Sequence, residues 1–163
     1  MLVTAFGPFA DIKRNPSEVL ARALFGDYAV ILPVSFAAVD AFLDNLQPTD
    51  RLLMLGVGRG DKRIRIERSA SDYIGKIADV TGCTKPREKS DTLQGTLLTK
   101  VCACDCWEDS DDAGGYLCNY IYYEATRKYP NIATGFVHIP PFTAMSRPIQ
   151  EIRLRRLVNL ISL

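Results

Sequence analysis

Arg51-Leu52-Leu53-Met54-Leu55-Gly56-Val57-Gly58 is an almost unbroken apolar run that ends in glycines. A strand apolar on both faces is one buried on both faces, the mark of a parallel sheet covered by helices. The closing glycines mark the strand's carboxyl end, where open α/β sheets place ligands. Working outward, Leu2 to Ala5 is a shorter apolar run before the turn-rich Gly7-Pro8-Phe9-Ala10-Asp11. Asn15-Pro16-Ser17-Glu18 then starts a helix whose apolar stripe, Val19, Leu20, Ala23 and Leu24, runs to Gly26. Tyr28 to Val34 reads as a second strand, and Ala37 to Leu46 has helical spacing up to Pro48. The order strand, helix, strand, helix, strand predicts an α/β fold: a three-layer α/β/α single domain over residues 1–163 with a mostly parallel twisted sheet.

Composition narrows the function classes. The chain has 163 residues, enough for one substantial core. Its 20 Lys+Arg against 19 Asp+Glu leave a net charge of +1, so no global field attracts nucleic acid or an anionic membrane surface. No apolar run is long enough to span a bilayer, and Met1 to Pro8 lacks the basic and apolar regions of a secretory signal. Five cysteines, Cys83, Cys102, Cys104, Cys106 and Cys118, argue against a disulfide framework and for reduced thiols in a cytoplasm.

Beyond the quoted run, Gly56-Val57-Gly58-Arg59-Gly60 lacks both the dinucleotide spacing and the Gly-Lys-Ser/Thr ending of phosphate loops. Arg63 to Arg68 alternates, with Ile64 and Ile66 on one face and Arg63, Arg65 and Glu67 on the other, which is either solvated or turned to a site. Ser69 to Gln94 is polar without periodicity and is assigned no elements, with Lys85 to Asp91 a mobile surface loop. Leu97 to Lys100 reads as a short turn and Val101 to Cys106 as a strand. Its Cys-x-Cys-x-Cys spacing invites a metal, but zinc sites usually draw ligand pairs from two segments, so these thiols are read as small hydrophobes and no metal is expected.

Asp111-Asp112-Ala113-Gly114-Gly115-Tyr116-Leu117-Cys118-Asn119-Tyr120 places a cysteine where a loop of small residues becomes a helix, predicted from Tyr116 to Lys128. Orphan amides and the positive helix end then point at the sulfur, favouring thiolate and offering donors to an oxyanion. By residue type alone Cys118 reads first as a buried small hydrophobe. Ala133 to Ile139 reads as a strand carrying the only histidine, His138, which is either a strand-end residue or a base. Pro148 to Leu163 reads as a covering terminal helix. A thiol nucleophile needs a base and a group to orient that base, and Cys118, His138 and Glu67 are of the right types.

These residues carry a resemblance. Ala5-Phe6-Gly7-Pro8-Phe9 with Asn15-Pro16-Ser17, Ile66-Glu67-Arg68-x-Ala70, Ala113 to Tyr120, and Gly135-Phe136-Val137-His138-Ile139-Pro140 resemble four ordered blocks of the pyroglutamyl peptidase I (pyrrolidone carboxyl peptidase) family of cysteine peptidases. The resemblance implies Cys118 as nucleophile, His138 as general acid/base and Glu67 as the group orienting it. It implies removal of an N-terminal pyroglutamyl residue from small peptide substrates through a thioester, with no cofactor. It implies Phe6 and Phe9 sandwiching the lactam ring, Asn15 and Tyr116 near that pocket, a cytoplasmic location, and a homo-oligomer of the family type, a dimer or tetramer. Two alternatives are a pyroglutamyl-binding protein without turnover and a thiol hydrolase of another cyclic amide. Departures cluster at residues 69–95: Ser69 and Asp72 replace an apolar residue and an asparagine, the segment is shortened, and the family's arginine near the oxyanion has no counterpart unless Lys76 supplies it. Ala5 and the Ala10-Asp11 pair stand where the family has glycines.

Overall fold

The computed structural model describes residues 1–102 and 104–162. Its strands are β1 (Leu2–Phe6), β2 (Ala29–Leu32), β3 (Arg51–Val57), β4 (Ile64–Glu67), β5 (Ser69–Ser71), β6 (Thr92–Gln94), β7 (Trp107–Ser110) and β8 (Ala133–Ile139). The α-helices are α1 (Pro16–Phe25), α2 (Phe36–Asp44), α3 (Leu117–Lys128) and α4 (Arg147–Ser162). Six strands form one sheet in the order β2-β1-β3-β8-β4-β7. β2, β1, β3 and β8 run parallel, and β4 with its parallel partner β7 runs against β8.

Side chains alternate across a strand, and this sheet separates them into two cores. Leu53 and Leu55 of β3 face Leu20 and Ala21 of α1 and Leu154, Leu157 and Ile161 of α4. Leu52 and Met54 face Phe36, Val39 and Leu43 of α2 and Leu117, Tyr120 and Ile121 of α3. The three-layer α/β/α arrangement follows. On β4, Ile64 and Ile66 join the α1/α4 core, as do Val137 and Ile139 of β8. Arg65, Glu67 and His138 are therefore turned to the α3 side, and the register places Arg65 beside His138 and Gly56 beside His138.

Two expectations are corrected. The polar stretch after β4 is not without elements: β5 and β6 form a small antiparallel sheet. It escapes local pattern because its support is distant. Asn119 of α3 accepts from the Ser71 amide at 2.9 Å and donates to the carbonyls of Ser71 and Tyr73 at 2.7 and 2.9 Å. Asp72 accepts from the amides of Ser90 and Asp91 at 2.8 and 2.9 Å, and these bonds with the Ser90 hydroxyl pull its carboxyl down to about 2. An asparagine there has one acceptor oxygen where the carboxylate has two. Second, the strand expected over Val101 to Cys106 begins instead at Trp107, whose indole donates to the Cys102 carbonyl at 2.8 Å. Within Val101 to Cys106, Cys104 makes an isolated bridge to Trp107; Ala103 lies outside the described residues, as does Leu163 of the predicted terminal helix.

Candidate active site

Helix α3 begins at Leu117 with Tyr116 as its extended N-cap, so Cys118 sits in the first turn, where amides have no intrahelical partner. Gly114 precedes it at φ +88°, a left-handed conformation that glycine adopts freely. Across from the helix lies the carboxyl end of β3, and there Gly56 explains itself. A Cβ at Gly56 would fall 2.6 Å from the Cys118 sulfur and 2.8 Å from the Phe136 ring. Of the glycines closing the β3 run, Gly56 makes room for a sulfur rather than for a phosphate.

Beside that sulfur stands His138, 5% exposed, and behind it Glu67, fully buried. His138 Nδ1 lies 2.6 Å from Glu67 Oε1, which leaves Nε2 for the Cys118 thiol. Phe136 packs against the imidazole with centroids 4.9 Å apart. Burial disfavours the charged ring, yet the Cys118 sulfur and the Glu67 carboxylate outweigh it and push the His138 pKa up to about 9. Arg65 adds a fourth member that residue pattern did not single out. Its Nη2 and Nε lie 2.9 and 3.1 Å from the same Glu67 Oε1, and its Nη1 lies 3.1 Å from Asp61.

These groups open into a cavity of about 490 Å³ whose walls include Phe9, Val57, Ile77, Val80 and Tyr116, with Cys118 and His138 among its lining residues. The outer wall, residues 77–80, is stitched down by long-range bonds. The Gly75 amide donates to Gly115 O at 2.8 Å, Tyr116 Oη to Ala78 O at 3.0 Å, and the Val80 amide to Val34 O at 3.1 Å. Asp79 accepts from the Phe36 amide at the start of α2 at 2.8 Å and from Thr81 N and Oγ1 at 2.8 and 2.6 Å. The Thr81 hydroxyl, with those amides and that of Cys83, holds the Asp79 carboxyl well below the usual carboxylate range against the effect of burial. Asp79-Val80-Thr81-Gly82, with Gly82 at φ +83°, is a turn signal the sequence does contain.

Of the residues singled out from sequence, Cys118, His138 and Glu67 converge, and Phe9 and Tyr116 line the cavity. Phe6 and Asn15 do not line it. Phe6, 4% exposed, is in the core beside Leu32 and Val34 because the alternation of β1 turns it inward. Asn15 is buried at the N-cap of α1, accepting from the Ser17 amide at 3.0 Å and donating to Gly7 O at 2.9 Å, so it holds the Phe9 loop instead of the cavity. Lys76 is exposed and is not among the lining residues; the guanidinium at this cavity is that of Arg59. Cys102 is exposed and the Cys104 sulfur accepts from the Cys106 amide at 3.2 Å. Among the described residues no group of three or more His, Cys, Asp or Glu is placed to hold a metal ion.

Ala10 lines the cavity at φ +49°, in the left-handed region where a Cβ costs about 1–2 kcal/mol. Ala10→Gly removes that strain but gives the unfolded chain more freedom, worth roughly 0.5–1 kcal/mol in the other direction. The net expectation is a small stabilisation, read as a rise of about 1–3 °C in the thermal midpoint. A fall in that midpoint would show that the loop gains more from the methyl group than it loses in strain.

Thiol, imidazole and carboxylate in series at the carboxyl edge of an α/β sheet define the class as a cysteine-type hydrolase. No family model matches the chain. It is similar to the pyrrolidone-carboxylate peptidase of Saccharolobus islandicus, with 31% identity covering all of this chain and 91% of that protein. It is likewise similar to that of Pyrococcus furiosus, with 34% identity over 86% of this chain and 80% of the relative. The pyrrolidone carboxyl peptidase structure from Thermus thermophilus matches 96% of this chain and 97% of its own at a TM-score of 0.79 and 23% identity. That from Thermococcus litoralis matches 98% and 91% at 0.78 and 22%. The chain belongs to the pyrrolidone-carboxylate peptidase family. The first of these matches runs over 192 aligned residues against a chain of 163, so the relative carries residues this chain lacks.

Among the described residues no helix is long and apolar enough to cross a membrane.

Proposed function

We propose that this chain is a cysteine exopeptidase that removes an N-terminal pyroglutamyl residue from peptides. The observation that carries the reading is the Cys118, His138, Glu67 series opening into a largely apolar cavity. Cys118 Sγ attacks the pyroglutamyl carbonyl carbon, and free amides at the start of α3 receive the oxyanion. His138 passes a proton to the leaving peptide amine, the C–N bond breaks, and a thioester remains. Water then adds to the thioester with His138 as base, the C–S bond breaks, and pyroglutamate leaves. Glu67 holds the imidazole tautomer throughout.

Selectivity rests on the walls. Phe9, Tyr116, Ile77 and Val80 suit a flat, uncharged lactam, while the charged amine of an ordinary N-terminus would lose its hydration there. The match to relatives named as peptidases supports turnover over mere binding, and over another cyclic amide. Residues 1–163 are read as one domain, since one six-stranded sheet underlies both cores. A cytoplasmic location accords with five free thiols, and a family-type dimer or tetramer is checked by sedimentation.

The test compares reporter amides carrying pyroglutamyl, prolyl and glutaminyl groups. Release confined to the pyroglutamyl amide is expected; equal release from the prolyl amide, or none from any, overturns the proposal. Gly56→Ala should lower kcat on that substrate by about tenfold or more, because a displaced sulfur loses its alignment with His138. Wild-type kcat in that variant would mean that the sulfur's position is not critical.

A further inference from the structure

The Glu67 carboxylate is held at one oxygen. His138 Nδ1 and the Arg65 guanidinium both meet Oε1, whereas Oε2 is buried with no partner among the described residues. Arg65 Nη2 also lies 3.3 Å from His138 Nδ1. With Nδ1–H committed to Glu67, both of these nitrogens are donors, so they compete for one acceptor instead of bonding each other. Arg65 is itself fixed from behind by Asp61, whose side chain fits because residue 58 is glycine: a Cβ there would fall 1.7 Å from Asp61 Oδ2.

We propose that Arg65, gripped by Asp61, is a positioning residue that fixes the Glu67 carboxylate and offsets part of its charge, so that His138 can be neutral in the thioester stage. This rests on the peptidase reading above. Before acylation two anions, the sulfur and Glu67, favour the imidazolium, and a nearby guanidinium alters little. Once the sulfur is acylated its charge is gone, and Glu67 alone acts on the ring. The ring must then be unprotonated to take a proton from water as the water oxygen bonds to the thioester carbon. The C–S bond then breaks, and the proton returns to the sulfur. A cation sharing Oε1 weakens the hold of Glu67 on the imidazolium and favours that neutral ring.

The groups facing His138 are Arg65 and Glu67 from β4, Cys118 from α3, Asp61 from the loop before β4, and Arg59 and Asp79 in the shared cavity, with Glu108 of β7 in register with Arg65. Removing the cation and removing its anionic partner therefore act with opposite signs. Because the chain has one histidine, its imidazole proton resonances need no assignment. In a Cys118→Ala background, which removes the sulfur charge as acylation does, Arg65→Gln should raise the His138 midpoint by about one unit. Asp61→Asn, leaving Arg65 unneutralised, should lower it, and Arg65→Lys should fall between wild type and Arg65→Gln. With Cys118 present, Arg65→Gln should slow thioester breakdown. A burst of reporter amine would appear, and kcat and KM would fall together by about fivefold while kcat/KM changes little.

Midpoints unchanged in both Arg65→Gln and Asp61→Asn, or shifted in the same direction, would overturn the proposal, as would a loss confined to kcat/KM. The titration does not need turnover. A wild type that fails to hydrolyse the pyroglutamyl amide would sink the peptidase reading and leave the charge arrangement standing, whereas unchanged midpoints in an active enzyme would do the reverse.

Discussion

Cys118→Ala is expected to cut release from a pyroglutamyl reporter amide by about four orders of magnitude or more, because among the described residues that line the cavity Cys118 is the one thiol able to form the thioester. The fold should survive. The side chain is only half-buried, and its loss leaves a small space between Gly56 and Phe136, at a stability change of about 1 kcal/mol. The His138 titration should change with it. Burial opposes the imidazolium, and the Cys118 sulfur is foremost among the groups that overcome it, so without the sulfur the midpoint drops below about 9. The sign for stability follows: a histidine whose pKa is raised on folding stabilises fully below its unfolded value near 6.5 and loses that contribution as pH rises through about 9. In Cys118→Ala that contribution shrinks and vanishes at lower pH. Activity within tenfold of wild type would remove Cys118 as the nucleophile.

Glu67→Gln should be nearly as damaging, lowering kcat by roughly two to four orders of magnitude. The side chain keeps its shape, but the oxygen that His138 and Arg65 share loses its charge, or is replaced by an NH₂ donor. If its oxygen faces His138 the charge that supports the imidazolium is gone; if its NH₂ does, two donors oppose each other and the ring loses its tautomer. In either orientation Arg65 loses the carboxylate charge and keeps Asp61 as its anionic partner in a partly buried site, so the unfolding midpoint should fall as well. A His138 midpoint that does not move, with kcat within threefold of wild type, would mean that Glu67 neither orients nor charges the imidazole.

The legible part of this protein was local. The apolar runs Arg51 to Val57 and Ala133 to Ile139, the alternation of Arg63 to Arg68, and the helical spacing in α1 and α2 each show in a few residues, because burial acts on the faces of one element at a time. Cys118, His138 and Glu67 are named through the family resemblance, since residue type alone leaves each of them an ordinary structural reading. What escaped was whatever depends on partners far along the chain. The 69–95 segment looks structureless because its order comes from Asn119, from the α2 amide that Asp79 caps, and from the Gly115 carbonyl. Phe6 and Asn15, which the resemblance places at the pocket, are not among its lining residues: the inward turn of β1 takes Phe6 into the core, and Asn15 caps α1.

The sequence by itself determined an α/β fold with a sheet covered on both sides, and the chemical types at its carboxyl edge, because periodicity and residue chemistry are properties of single segments. Only the tertiary structure decided that β4 runs against β8, which sets Glu67 behind His138 and brings Arg65 to the same carboxylate oxygen. Strand direction and register are set by packing between segments distant in sequence, and no one segment encodes them.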